Sequence, residues 1–190
     1  ELNLDPIEVR LLNGSREGTK SSFGPTFRKI GLIETLEAAK SHPNLKVELG
    51  PNQGRGIASG FWMNHGGETS ISMALGEDGT VTLSIGTPDI GGSRASMALM
   101  VSETLGIPYE DVRVNVVETG SLGVNEPTHG SRATFATGKA AVEACNEAIN
   151  EMCRRAADKW GIDPEAIDWF DGAAHPSGPN AGDFPPMTIK

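Results

Sequence analysis

At 190 residues and 37% hydrophobic content, the chain is long enough to bury the core of one domain, or of one domain with an extended lead-in. A net charge of −9 and a pI near 4.9, with no lysine- or arginine-rich stripe, argue against a nucleic-acid partner. No apolar run approaches the roughly 20 residues that span a bilayer, and no signal peptide is visible.

In chain order, residues 4–12 read as a short helix, with Asp5 as its cap and Pro6 in the first turn. Gly14 to Pro25 is a polar connection, and a second helix is predicted over about 30–41, with Ile33, Leu36 and Ala39 on one face and Pro43 as the stop. From Gly54 the character changes. Gly56 to Met63, Thr69 to Leu75 and Thr80 to Ile85 form three β patterns, the last two joined by an Asp78-Gly79 hairpin turn. Phe61 and Trp62 close the first pattern and are expected in the core.

Ser93 to Leu105 is helical by its apolar spacing, ended by Gly106 and barred from continuing by Pro108. Val112 to Val117 alternates as a fourth strand, and the longest helix covers about 131–160. Its alanine stripe, Ala136, Ala140, Ala144 and Ala148, suits packing within the domain. Cys145 and Cys153 lie eight positions apart on that helix, about 12 Å at ~1.5 Å per residue, too far for a disulfide. They read as buried thiols of a cytoplasmic protein, and no cysteine spacing fits zinc or an iron–sulfur cluster. Asp163 opens a short helix or turn, and the chain from Asp171 reads as an extended tail. With its first residue not Met and no closing element at Pro185 to Lys190, the sequence reads as a piece of a longer polypeptide. Interleaved strands and helices make the class α+β or mixed α/β, a short mixed sheet packed with helices.

Two clusters stand out. Gly91-Gly92-Ser93-Arg94 and Gly130-Ser131-Arg132-Ala133-Thr134 each follow a β-rich stretch and open a helix. Unpaired N–H groups and the positive dipole end of a helix attract anions, and an arginine in each cluster has the fork to pair with phosphate oxygens. Ser and Thr at helix starts also serve as ordinary caps.

The order Gly54-Arg55-Gly56, Gly86 to Arg94, Ser102 to Ile107, Val112-Arg113-Val114, Glu118-Thr119 and Gly130 to Thr134 resembles the molybdenum-binding large subunit of the xanthine dehydrogenase, aldehyde oxidase and carbon monoxide dehydrogenase family. Leu4 to Asn13 resembles the segment that precedes this domain. The resemblance implies residues 1–53 as lead-in, 54–170 as part of the molybdopterin-binding domain, and 171–190 leading to a C-terminal part. It also implies a molybdenum–molybdopterin cofactor, with or without an attached nucleotide. Gly91, Gly92, Ser93 and Arg94 match one cofactor loop; Gly130, Ser131, Arg132, Ala133 and Thr134 match the other.

The implied chemistry is water-derived hydroxylation of an aldehyde or N-heterocycle, with electrons passing to iron–sulfur clusters and FAD on other segments or subunits. The implied partners are the rest of the molybdenum subunit, the iron–sulfur and flavin subunits, and a small-molecule substrate. Neither nucleic acid nor membrane is among them. Two departures bear on the reaction: no glutamine stands in Gly91-Gly92-Ser93, where the family places one against a molybdenum ligand, and the family's catalytic glutamate belongs to a downstream segment. No catalytic or metal-ligating residue is therefore expected in this chain, which alone should not turn over. A cofactor-binding or assembly domain without hydroxylase chemistry is the alternative.

Among the other residues, His65 reads as a turn residue and His129 either as a neighbour of the cofactor or as a loop residue. His42 and His175 read as surface positions. Glu118 is expected at a strand end, to orient the following loop or bind a cofactor amine, or as a cap or surface carboxylate, and Trp160 and Trp169 as a docking surface.

Overall fold

The computed structural model describes residues 3–62 and 65–190, and contacts divide the chain into two compact units, Glu1–Phe61 and Trp62–Lys190. In the first, helix α1 (Pro6–Asn13) starts as its sequence dictates: the Asp5 carboxylate accepts from the N–H groups of Ile7 and Glu8, and proline occupies the first turn, where no N–H is required. Helix α2 (Leu32–Ser41) packs on it, burying Ile33 and Leu36 beside Ile7. A Lys40–Glu8 ion pair joins the exposed faces.

No strand forms over residues 56–62, contrary to the β pattern expected there, and Met63 lies outside the described residues. The backbone carbonyl of Ile57 instead accepts from the Arg10 guanidinium. Without a ladder there is no inward face. Phe61 is accordingly 67% and Trp62 74% exposed, a correction to their expected place in the core. Phe61 meets Phe27 edge-on at 6.2 Å.

The second unit is built on a mixed sheet. Strand β1 (Ile71–Leu75) pairs antiparallel with β2 (Val81–Ile85) through a tight turn in which Asp78 accepts from Thr80 and Gly79 takes φ 81°. Helix α3 (Ser93–Leu105) then carries the chain across to β3 (Val112–Val116), parallel to β2. Period-two alternation puts Val81, Leu83 and Ile85 on one face of β2, fully buried against Met97, Val101 and Leu105 of α3.

The long helix is α4 (Gly138–Trp160), preceded by a π turn over Ala133–Thr137. The extra residue of a π turn shifts the phase of the helix face. Ala136 and Ala141, five apart, are both buried, and the line continues through Cys145, while Ala140, Ala144 and Ala148 sit only half-buried beside it. The buried face thus lies one position away from much of the expected alanine stripe.

Cys145 is fully enclosed near Met73, and burial pushes its thiol up to about 11; the half-buried Cys153 thiol is raised by burial and by the charge of Asp168. Because the thiolate is the reactive form, native protein at pH 8 should resist iodoacetamide at Cys145, while urea-unfolded protein is alkylated within minutes. Equal native and unfolded labelling rates at Cys145, read by mass spectrometry, would contradict the enclosure.

The segment from Asp171 is not a free tail. Strands β4 (Ile167–Phe170), β5 (Ala173–Pro176) and β6 (Met187–Thr188) form a second antiparallel sheet. His175, expected in a surface loop, lies on β5 with its ring stacked 3.6 Å from that of Phe170. Trp160 stacks on Phe184, and the Trp169 indole N–H donates to the Leu105 carbonyl, so both tryptophans pack within the unit instead of forming a docking surface. Among the described residues, no helix is long and apolar enough to cross a membrane.

Candidate functional site

Both glycine-led clusters open helices, and both do so with the same backbone solution. Gly91 and Gly92 have φ of 62° and 79°, and Gly130 and Ser131 have φ of 54° and 57°. Two consecutive left-handed residues swing the chain sharply into each helix. Glycine adopts this conformation freely, whereas Ser131 does so at a cost of about 1–2 kcal/mol. Among the described residues, no acceptor pairs with the amides of Gly91, Gly92, Gly130 or Ser131. A Cβ built on Gly91 or Gly92 would meet nothing within 4 Å.

The two starts are held at one end of the helix pair. The Thr87 hydroxyl, just before the first cluster, is 2.8 Å from that of Thr137, both buried, and Gly138 lets α4 approach Met97 and Met100 of α3. Beside the second start, Met100, Ser131, Thr134 and Phe135 line an open groove of about 690 Å³.

The arginines differ from expectation. Arg132 is fully buried: its Nε donates to the Gly66 carbonyl (2.6 Å), Nη1 to the Glu126 carbonyl (2.8 Å), and Nη2 to the Glu68 carbonyl (2.8 Å) and Thr69 Oγ1 (2.6 Å). Its fork closes two loops on each other and is not free for a phosphate. Arg94 is exposed but grips Asp89 through Nε at 2.8 Å, and its amide also donates to that carboxylate. The Arg94 side chain, then its amide, hold the Asp89 carboxyl below the usual carboxylate range. Ser93 is buried, its hydroxyl 3.4 Å from both the Pro88 carbonyl and Asp89 Oδ1. Ala133 and Thr134 enter the π turn, with the Thr134 side exposed.

Sequence reasoning missed one grouping. His65, Glu126 and His129 come together beside the Gly130 start, and the His65 amide donates to the Gly130 carbonyl at 2.8 Å. A gap of 61 positions separates the first from the second, so no local spacing announces them. Glu118 is exposed and apart from this grouping; its carbonyl accepts from Ser121.

The geometry is that of an α+β domain offering unpaired backbone amides, more than side-chain cations, to an anionic group. A family model, the molybdopterin cofactor-binding domain, matches residues 32–186. The aldehyde oxidoreductase molybdenum-binding subunit PaoC of Escherichia coli K12 is 30% identical over 181 residues, 89% of this chain and 24% of that protein. The xanthine dehydrogenase molybdenum-binding subunit of Escherichia coli O157:H7 is 31% identical over 128 residues, 60% of this chain and 17% of that protein. Among solved structures, quinoline 2-oxidoreductase from Pseudomonas putida 86 superposes with a TM-score of 0.72 at 16% identity, covering 99% of this chain and 27% of that one.

The chain belongs to the molybdopterin cofactor-binding domain family, the fold seen in molybdenum-binding subunits of oxidoreductases. It spans about a quarter or less of the length of the curated relatives it matches.

Proposed function

We propose that the chain is part of the molybdenum-binding subunit of a hydroxylase acting on an aldehyde or an N-heterocycle, and that its two glycine-led helix starts hold the pterin cofactor through backbone amides. The observation that carries this reading is the pair of left-handed turns at one end of α3 and α4, with amides unpaired among the described residues and open space over Gly91 and Gly92. The residues fit such a group: the amides of Gly91, Gly92, Gly130 and Ser131 would receive its phosphate and polar ring edges, and the exposed Ser131 and Thr134 hydroxyls stand beside the groove.

When bound, the cofactor supplies a metal centre through which water-derived oxygen reaches an electrophilic carbon of the substrate. The part of this chain is binding and orientation. Arg132 fixes the approach to one start, the Asp89–Arg94 pair fixes the other, and the Thr87–Thr137 contact joins them. The catalytic base, the iron–sulfur clusters and the flavin belong to other segments or subunits of a cytoplasmic complex, and this chain alone is inactive.

One observation favours the alternative of a cofactor-holding domain without hydroxylase chemistry. Ser93 stands where the resemblance calls for glutamine, and its buried hydroxyl is turned inward toward Pro88 and Asp89, not outward to a metal ligand. Substrate turnover by the parent complex distinguishes the two.

The binding claim is tested by Gly92→Val in the parent subunit. A Cβ at this position enters open space in the protein, so the cost to the fold is backbone strain of at least about 1–2 kcal/mol, while a bound pterin would be obstructed. Molybdenum and pterin content should fall at least tenfold with the circular dichroism unchanged; content equal to wild type would remove this loop from the cofactor site.

A further inference from the structure

We propose that His65, Glu126 and His129 form a site for a divalent transition ion of the zinc class. One donor atom from each residue lies within 4.8 Å of the others, and the two imidazole rings are 4.6 Å apart with their planes at 59°. Around an ion bonded at ~2.0–2.2 Å, tetrahedral donors stand about 3.3–3.6 Å apart. Rotation of the exposed His129 side chain closes the remaining distance.

The frame around these donors separates them from a chance gathering. The His65 amide is bonded to the Gly130 carbonyl, next to His129, and the Glu126 amide to the Glu68 carbonyl. The Arg132 guanidinium then ties the Gly66 and Glu68 carbonyls to that of Glu126. Both ligand-bearing loops are thereby laced together before any ion arrives. Gly67, at φ 93°, lies directly under the Glu126 carboxylate, where a Cβ would fall 2.2 Å from Oε2. Only glycine leaves that carboxylate room in its present place.

The donor set defines the ligand class. Two imidazoles with one carboxylate suit zinc and its first-row neighbours, whereas calcium and magnesium require mostly oxygen. The buried Arg132 charge opposes a bound cation, but all of its hydrogen bonds point to carbonyl and hydroxyl oxygens of the frame, and Glu126 contributes the offsetting negative charge. With two protein nitrogens and one carboxylate oxygen, a tetrahedral ion keeps one position for water or for an anionic group.

The test is titration of the metal-free 190-residue chain, in a C153S background to silence the more accessible thiol, with Zn²⁺ by calorimetry and with Co²⁺ by visible absorption. One equivalent should bind and give the intense ligand-field bands of four-coordinate cobalt. His129→Ala and Glu126→Gln should each weaken Zn²⁺ by about 100-fold, while His42→Ala, at an exposed position in the other unit, should leave affinity unchanged. Circular dichroism on each variant establishes that the fold persists; His129 is exposed, so its substitution spares the core. No saturable binding, or affinity unaltered by both ligand substitutions, would overturn the proposal. This outcome is independent of the pterin reading, which the molybdenum content of Gly92→Val tests separately.

Discussion

Arg132→Met is expected to cost about 3–5 kcal/mol of stability, the largest loss from any single side chain in the second unit. The side chain is wholly buried, and its guanidinium serves three carbonyls, of Gly66, Glu68 and Glu126, together with the Thr69 hydroxyl. Methionine fills most of the volume but strips the Gly66 and Glu126 carbonyls and the Thr69 hydroxyl of this donor and leaves the Glu68 carbonyl with the Glu126 amide alone; each unsatisfied buried group costs about 1–3 kcal/mol. Arg132→Lys should recover only a minor part, because one ammonium cannot reach acceptors arranged for a planar fork. Thermal unfolding of the two variants checks this: the midpoint should fall by roughly 10 °C for methionine. A midpoint within about 2 °C of wild type would show that the loops do not depend on this side chain. Removing Ser131 and Arg132 together would therefore confound loss of the proposed cofactor contact with loss of the fold, whereas Ser131→Ala alone tests that proposed contact.

Gly106→Ala should lose stability well beyond the ordinary cost of alanine at a helix end. Gly106 and Gly161 end α3 and α4 in the same left-handed conformation, at φ 72° and 70°. A Cβ at Gly161 meets nothing within 4 Å, whereas one at Gly106 would lie 2.7 Å from the Gly172 amide nitrogen. Gly172, itself at φ 69°, is equally constrained, with its Cβ 2.9 Å from the Gly106 carbonyl oxygen. The two backbones cross with no side chain between them, and Trp169 bonds to the Leu105 carbonyl beside the crossing. Both substitutions carry the conformational strain of about 1–2 kcal/mol, so their difference isolates the backbone collision. Chemical denaturation should place Gly106→Ala a further 1–3 kcal/mol or so below Gly161→Ala, the usual range for overpacking. Equal losses would mean that α3 and the β4–β5 turn separate without penalty.

What the sequence reveals and what it hides follow from the range of the interactions. The Asp5 cap, the Asp78-Gly79 turn, the Gly106 stop and the glycine pair before α3 are each decided within a few residues, and each was readable. So was the domain family, because the order of short motifs survives when no one of them is decisive. The strand expected over Gly56 to Met63 was inferred from composition without a partner to pair with, and no ladder forms over its described residues. The second sheet was missed for the converse reason: its short strands carry alanine, proline and histidine, and Trp169 ties them to the end of α3. Arg132 was legible as an arginine at a helix start, but its actual partners lie up to 66 positions upstream. The same distance in sequence concealed the His65, Glu126 and His129 grouping.

That separation also sets an order of events during synthesis. The carbonyls of Gly66 and Glu68 emerge from the ribosome more than sixty residues ahead of the guanidinium that will bind them. At ~5–20 residues per second this is an interval of several seconds. Throughout it the first loop has only water for a partner, while β1, β2 and α3 already possess most of what they need to pair. Arg132 thus acts as a late latch, and a nascent chain halted before it would display Gly91 and Gly92 with no second helix start to face them.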